Sequence, residues 1–353
     1  MHAHVASRGC CAIMPPYVLE HLAQTGDADQ RARAFETLAA SERLRGERAA
    51  VGGARARVPT GGKRRTIYDA KGLSRLPGTL VRGEKDPPVA DRAVDEAFDG
   101  LGATFDFYQA VFARTSVDGR GLRLDGSVHF RKRYDNAFWN GSQMVFGDGD
   151  GKIFGAFTSC LEVIGHELTH GVVQYEANLA YHDQPGALNE SFADVFGSLV
   201  KQFALKQTVD EADWLIGKGL LLGKYAGQAL RSMKAPGTAY DNPLLGKDPQ
   251  PADMKGYVKT DQDEGGVHLN SGIPNRAFYL AAQAFGGRAW ETAGKVWYAA
   301  LTRGLDAQSD FAAAARATIA AAETLFGAKG KAAVTGAWAG VGVAPSAGGA
   351  AVA

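Results

Sequence analysis

Residues 163–173 read VIGHELTHGVV, two histidines and a glutamate set into a run that is otherwise apolar and helix-like. His166 and His170 stand four apart. Positions i and i+4 are neighbours on a helix surface, so both imidazoles can reach one ion. Glu167 lies beside that face, near enough to reach a water on such an ion but poorly placed to ligate it. As a bare pattern the stretch has two readings, a metal site or two ordinary histidines on a buried helix.

The His-Glu-x-x-His spacing is a zinc signature. A reactive zinc site takes three protein ligands and leaves the fourth position for water. The candidate third ligand is Glu190, in GALNESFADVFG at residues 186–197. There Leu188, Phe192, Val195 and Phe196 make an apolar stripe, while Glu190 and Asp194, four apart, share another face. A second helix can thus aim one carboxylate at the metal and the other at a ligand histidine. Metal-bound imidazoles usually donate their remaining N–H to such a group, which suits Asp194 opposite His166.

At 353 residues the chain has room for two domains. Its 45% apolar and 22% charged content are those of an ordinary soluble globular protein. A net charge of +1 supplies no reason to expect nucleic acid or a membrane surface as partner. Three cysteines, Cys10, Cys11 and Cys160, make no disulfide framework. The start, MHAHVASRGCCAIMPPYVLE, lacks the apolar core of a Sec signal and is broken by Pro15 and Pro16. No window approaches the roughly 18 apolar residues that span a bilayer. A soluble, monomeric protein is expected, secreted without a recognisable Sec signal, with a cytoplasmic location as the alternative.

Residues 1–60 differ from the rest. YVLEHLAQTG and DADQRARAFETLAASERLRGERAA read as two helices, the second opening near Asp27 or Asp29 with Ala34, Leu38 and Leu44 on one face. VGGARARVPTGGKRR then reads as a basic, protease-sensitive linker. A helical segment on a cleavable linker suggests a propeptide; a small N-terminal arm is the alternative. From Thr66 a strand and an amphipathic helix are expected. A β-rich meander split by Asp-Gly turns follows, and after Cys160 long helical stretches run to Val334. The last residues, 346–353, read as a low-complexity tail.

Several motifs together, YDNAFWNGSQMVFGDGDG, HELTHGVVQYEANLAY, GALNESFADVFG, LRSM and GGVHLNSGIPN, resemble the thermolysin-like metallopeptidases (family M4). The resemblance covers the chain from about Thr66 to Val343. The Pro-Pro-Tyr segment is similar to the short propeptides of the protealysin-like branch. The resemblance implies an α+β fold of two lobes, a β-rich N-terminal lobe (61–180) and an all-α C-terminal lobe (181–345), with the His-Glu-x-x-His helix between them. It implies a zinc endopeptidase made as a zymogen, acting on protein and peptide substrates and inhibited by its own propeptide.

By the same resemblance one zinc is held by His166, His170 and Glu190, with Asp194 and Asn189 supporting the ligands. Glu167 takes the proton of the attacking water and passes it to the leaving amine. Tyr181 and His268 stabilise the developing oxyanion, and Asp263 orients His268. Arg231 binds a substrate carbonyl, and Asn136 and Ala137, with Trp139 beside them, form the edge for extended substrate. Phe154, Phe157, Val163 and Leu230 match the pocket for the residue after the cut. Being apolar, they imply cleavage before Leu, Phe, Ile or Val.

Three features depart from the family or stand apart from it. Glu162, Lys201, Asp213, Leu215 and Lys218 occupy the positions of an acidic double calcium site. A fixed ammonium excludes a divalent cation, so the expectation is that Lys201 and Lys218 pair with Glu162 and Asp213 and that the double site is absent. Gln228 replaces a further calcium aspartate; calcium elsewhere, as at the GDGDG loop, stays open. Glu264 stands where many members have Asn, and is expected to raise the pKa of His268. Cys10 or Cys11 can cap zinc in the precursor, since a thiolate is a good ligand; blockage by packing of the Pro-Pro-Tyr segment is the alternative.

Two other functions compete. An aminopeptidase of the same zinc type would need an acidic group for the substrate's free amine, whereas the DNAFWN edge suits internal segments. A non-catalytic protein with a structural zinc would fill all four positions with Cys or His and leave Glu167 without purpose.

Overall fold

The computed structural model describes residues 12–50 and 61–345, the side chains of 45–50 excepted. The expected tail at 346–353, the centre of the linker, Cys10 and Cys11 lie outside the described residues.

Two helices open the chain, α1 (Pro16–Thr25) and α2 (Ala28–Ala50). Pro16 suits the first turn of α1, where its missing N–H costs nothing. Between the helices Asp27 and Gln30 cap one another reciprocally, each side-chain oxygen accepting from the other's backbone N–H at 2.8–2.9 Å. Val18, Leu19, Leu22, Ala23 and Ala34 are buried and belong to the main core, so this segment is packed onto the rest of the chain.

The N-terminal lobe has β1 (Arg65–Asp69), β2 (Thr79–Gly83), α3 (Arg92–Phe112), β3 (Leu124–Val128), β4 (Ala137–Trp139) and β5 (Met144–Phe146). The strands form one sheet in the order β2-β1-β3-β5-β4. It is not the meander expected. Strand β3 pairs parallel with both β1 and β5, and only the β1–β2 and β4–β5 pairs are antiparallel. Asp125-Gly126 lies inside β3 rather than in a turn, because Gly126 faces Ile67 and Leu101, where a side chain would crowd the α3 side. The hairpin turn is made instead at Asn140, whose Oδ1 accepts from the backbone of Ser142 and Gln143. Arg65, assigned above to the linker, is the first residue of β1 and is held by Glu84.

Next come α4 (Leu161–Tyr175) and α5 (Asp183–Leu205), which carry the two motif stretches. The helical lobe then departs from continuous helix over residues 206–262. That segment is irregular, with two small ribbons, β6 (Leu215–Ile216) with β7 (Arg231–Ser232) and β8 (Asp241–Asn242) with β9 (Gly246–Lys247). Helices resume with α6 (Asp263–Asn270), α7 (Gly272–Phe285), α8 (Ala293–Arg303) and α9 (Phe311–Gly340). One continuous core runs from the N-terminal helices through α4 and α5 to α9. Among the described residues no helix is long and apolar enough to cross a membrane.

Candidate active site

The site begins with a close helix crossing. A Cβ on Gly197 of α5 would meet the Glu162 carbonyl of α4 at 2.4 Å, and one on Gly165 would meet the Gly197 Cα at 3.1 Å. Two facing glycines therefore let α4 and α5 touch at backbone distance. That contact brings His166 and His170 against Glu190 and Asp194, all four buried.

Neither ring is free to choose its tautomer. His166 Nδ1 lies 2.8 Å from Asp194 Oδ1, and His170 Nδ1 lies 2.8 Å from Asn189 Oδ1. Asn189 donates its amide to the Leu179 carbonyl, which leaves its oxygen toward the ring. Both Nδ1 atoms thus donate, so in the neutral rings both Nε2 atoms carry lone pairs. Those two nitrogens face each other across 3.0 Å, with Glu190 oxygens 3.5 Å away. Three acceptors with no proton between them are what a cation requires. Glu190 Oε2 accepts no hydrogen bond from the described residues. The donor atoms of His166, His170 and Glu190 all lie within 4.8 Å of one another. Two imidazoles and one carboxylate are a catalytic zinc set, and the residues present fit that ion.

Asp194 is held on all sides. Arg231 donates Nε and Nη2 to its two oxygens at 2.8 Å each, and Asn275 Nδ2 donates at 2.9 Å. Burial opposes its charge, but Arg231 and His166 outweigh burial and hold its pKa well below the usual carboxylate range. Asn275 was not assigned a role from the sequence. It sits in the quoted GGVHLNSGIPN motif, and only the tertiary contact reveals that it supports Asp194.

Glu167 is fully buried beside this set. Its Oε2 accepts from the Trp139 N–H at 2.9 Å, while its Oε1 has no hydrogen-bond partner among the described residues. Burial, then the neighbouring Glu190 charge, push its carboxyl well above the ordinary value. Tyr181 donates its hydroxyl to Glu190 Oε1 and lies 3.3 Å from His268 Nε2. Asp263 grips His268 twice, Oδ1 at 2.6 Å from Nδ1 and Oδ2 accepting the backbone N–H at 2.8 Å. This grip depends on an unusual turn: Asp263, Glu264, Gly265 and Gly266 all have positive φ. Glycine suits position 265, because its φ is +83° and a Cβ would meet the Asp183 backbone N at 2.9 Å. Although burial opposes it, Asp263 and then Glu190 raise the His268 pKa. Glu264 is exposed and is not among the chief causes, which corrects the expectation drawn from it.

The cleft edge is occupied by the chain's own N-terminal segment. Ala12 bridges antiparallel to Phe138, and the Ile13 N–H donates to the Ala137 carbonyl at 3.2 Å. The Met14 N–H donates to Asn136 Oδ1 at 2.9 Å. Arg231 Nη1 donates to the Ile13 carbonyl at 2.9 Å, and His268 Nε2 lies 3.1 Å from the Ala12 carbonyl. Ile13 is buried, as are Phe154, Phe157, Val163 and Leu230, all within the one main core. Trp139 is buried in the sheet, its indole N–H donating to Gln174.

At the far end of α4 and α5, Lys201 Nζ lies 3.4 Å from Glu162 Oε1 and 3.1 Å from Asp213 Oδ2, and Lys218 Nζ lies 3.5 Å from Asp213. Gln228 accepts from Asn242 Nδ2 at 2.8 Å.

A sheet-containing lobe and a helical lobe, with two histidines of α4 meeting a glutamate of α5 in a buried centre between them, define a zinc-peptidase class of protein. Residues 59–174 match the family model described as thermolysin metallopeptidase, catalytic domain, and residues 177–343 match its alpha-helical domain. The chain belongs to the thermolysin metallopeptidase family, whose members are zinc-dependent endopeptidases. It is 52% identical over 321 residues to an extracellular metalloprotease of Pectobacterium carotovorum subsp. carotovorum, covering 91% of this chain and 92% of the relative. It is 46% identical to protease PrtS of a Photorhabdus species, covering 94% and 91%. Among solved structures, the precursor of protealysin from Serratia proteamaculans superposes with a TM-score of 0.87 at 55% identity, covering 95% of this chain and all of that one.

Proposed function

We propose that the chain is the precursor of an endopeptidase that cuts on the N-terminal side of bulky apolar residues, and that residues 12–44 hold it inactive by lying in the cleft as a substrate would. The observation that carries this reading is the pairing of Ala12, Ile13 and Met14 with the edge at Phe138, Ala137 and Asn136. Arg231 on the Ile13 carbonyl and His268 by the Ala12 carbonyl support a reading in which the Ala12–Ile13 bond lies where the cut bond of a substrate would. Ile13 is itself a buried apolar side chain at this position, and Phe154, Phe157, Val163 and Leu230 are buried in the same core, which supports a preference for such side chains after the cut.

A zinc ion held by His166, His170 and Glu190 would acidify a water and polarise the substrate carbonyl. Glu167, its Oε1 unengaged, accepts the proton released as the C–O bond forms, then delivers it to the amine nitrogen as the C–N bond breaks. His268, oriented by Asp263, and Tyr181 donate toward the carbonyl oxygen as it gains charge. Arg231 and the Asn136–Ala137 edge fix the substrate backbone, so the reacting carbonyl is not free to rotate. The names of the relatives support an extracellular enzyme. Casein digestion with and without a zinc chelator tests the reading, with product mapping for cuts before Leu, Phe, Ile and Val. An absence of chelator-sensitive cleavage by zinc-loaded, matured protein would instead favour a zinc-containing binding protein.

A further inference from the structure

The N-terminal segment touches the cleft edge a second time. Past Phe138, Ala137 and Asn136, which pair with Ala12, Ile13 and Met14, the next residue along the edge is Asp135. Its side chain is buried, and it is met from α2: Arg33 places Nε on Oδ2 at 3.1 Å and Nη2 on Oδ1. The Asp135 N–H donates to Thr37 Oγ1 at 3.1 Å, again from α2. Around it, Phe130, Tyr134 and Phe138 form an aromatic wall against Ala40 and Leu44. Tyr134 also meets Ser41 Oγ at 3.1 Å. Loss of residues 12–44 on maturation removes the guanidinium and leaves the carboxylate beside aromatic surface. With α2 gone that carboxylate faces the cleft edge beside aromatic surface, where a cation can take the place of the guanidinium.

In the chain itself the path turns into α1 at Pro16, and Asp135 is met by α2 instead. A substrate that stayed extended in the register of Ile13 on Ala137 and Met14 on Asn136 would set its third residue after the cut opposite Asp135. We propose that Asp135 is a specificity determinant of the mature enzyme, selecting substrates with a basic side chain at the third residue after the cut. Arginine is favoured over lysine, because its planar fork repeats the two-point contact that Arg33 makes. The inference rests on the endopeptidase reading above. Arg133, which pairs with Asp29 and Glu36 of α2, loses those partners at the same moment and is the competing cation.

The test uses the mature enzyme and quenched peptides identical except for Arg, Lys, Gln or Glu at that position. The expected kcat/KM is about tenfold higher for Arg than for Gln, the size of a partly desolvated charged hydrogen bond. The preference shrinks with added salt. It falls to near parity in Asp135→Asn and turns toward Glu in Asp135→Lys. Equal rates for Arg and Gln in the unaltered enzyme would overturn the proposal, as would a preference that survives Asp135→Asn. Should either variant fail to fold, the peptide comparison and its salt dependence in the unaltered enzyme still decide. Failure to cut any of the peptides in a chelator-sensitive manner would strike at the endopeptidase reading instead.

Discussion

Arg231 holds both oxygens of Asp194 at 2.8 Å and, from its remaining nitrogen, the carbonyl of Ile13 at 2.9 Å. A guanidinium already fixed by a buried carboxylate loses little freedom on receiving a substrate-like carbonyl. Because Asp194 also orients His166, the grip on the N-terminal segment and the metal centre share one support. Arg231→Met should therefore strip the buried Asp194 carboxylate of its guanidinium, leaving it only His166 and Asn275, at a cost of about 1–3 kcal/mol. Urea unfolding of the precursor is expected to show that loss, together with a higher zinc dissociation constant.

Gly197→Ala places a methyl against the Glu162 carbonyl, backbone that has nowhere to move. Forced overpacking of this kind costs about 1–3 kcal/mol. Since the strain parts α4 from α5, zinc retention during dialysis should fall as well. A variant as stable and zinc-retentive as the parent would show that the crossing relaxes freely.

Arg33→Met removes a prosegment residue and leaves the mature enzyme's sequence unchanged. The precursor is expected to lose about 3–5 kcal/mol from the unpaired Asp135, and to mature faster. Once residues 12–44 are gone, kcat and KM should equal those of the parent enzyme. A difference in the mature forms would mean that the segment also guides folding.

His129 bridges Asp148 and Asp91, at 2.9 and 3.0 Å. The Asp148 hydrogen bond leads, and with Asp91 it overcomes partial burial to raise the His129 pKa to about 9, from an ordinary 6.5. A raised cationic pKa stabilises the fold fully below the unfolded value and loses that contribution as pH rises through the folded one. Melting temperature should fall between about pH 6.5 and 9 in the parent. In His129→Gln that fall should be shallower, while below pH 6 the variant is the less stable protein.

Lys201 and Lys218 set their ammonium groups against Glu162 and Asp213, where a divalent ion would compete with them. Calcium chelation should therefore leave the melting temperature of the mature enzyme nearly unchanged. A sharp drop on adding a calcium-selective chelator would show that calcium binds elsewhere, with the GDGDG loop the first place to look.

Much of the site was legible because its chemistry is periodic. His166 and His170 share a helix face at any tertiary arrangement, as do Glu190 and Asp194, so the zinc set could be read from spacing and resemblance. The sheet was less legible. Asp125-Gly126 has turn composition, yet it lies in β3 because Gly126 leaves room for Ile67 and Leu101, a contact from distant sequence. Glu264 looked influential through adjacency to Asp263, but a left-handed backbone at both residues exposes it while Asp263 turns onto His268.

By itself the sequence determined the donor types, the helical faces that present them, and the presence of lysines at 201 and 218, where the resemblance implies calcium carboxylates. Only the tertiary structure decided that Asn275 braces Asp194 and that Arg33 fills Asp135. It alone also brought residues 12–14 onto the edge at residues 136–138. Helical period carries information over a few residues, whereas these partners are 81, 102 and more than 120 positions apart and meet only once the core has packed.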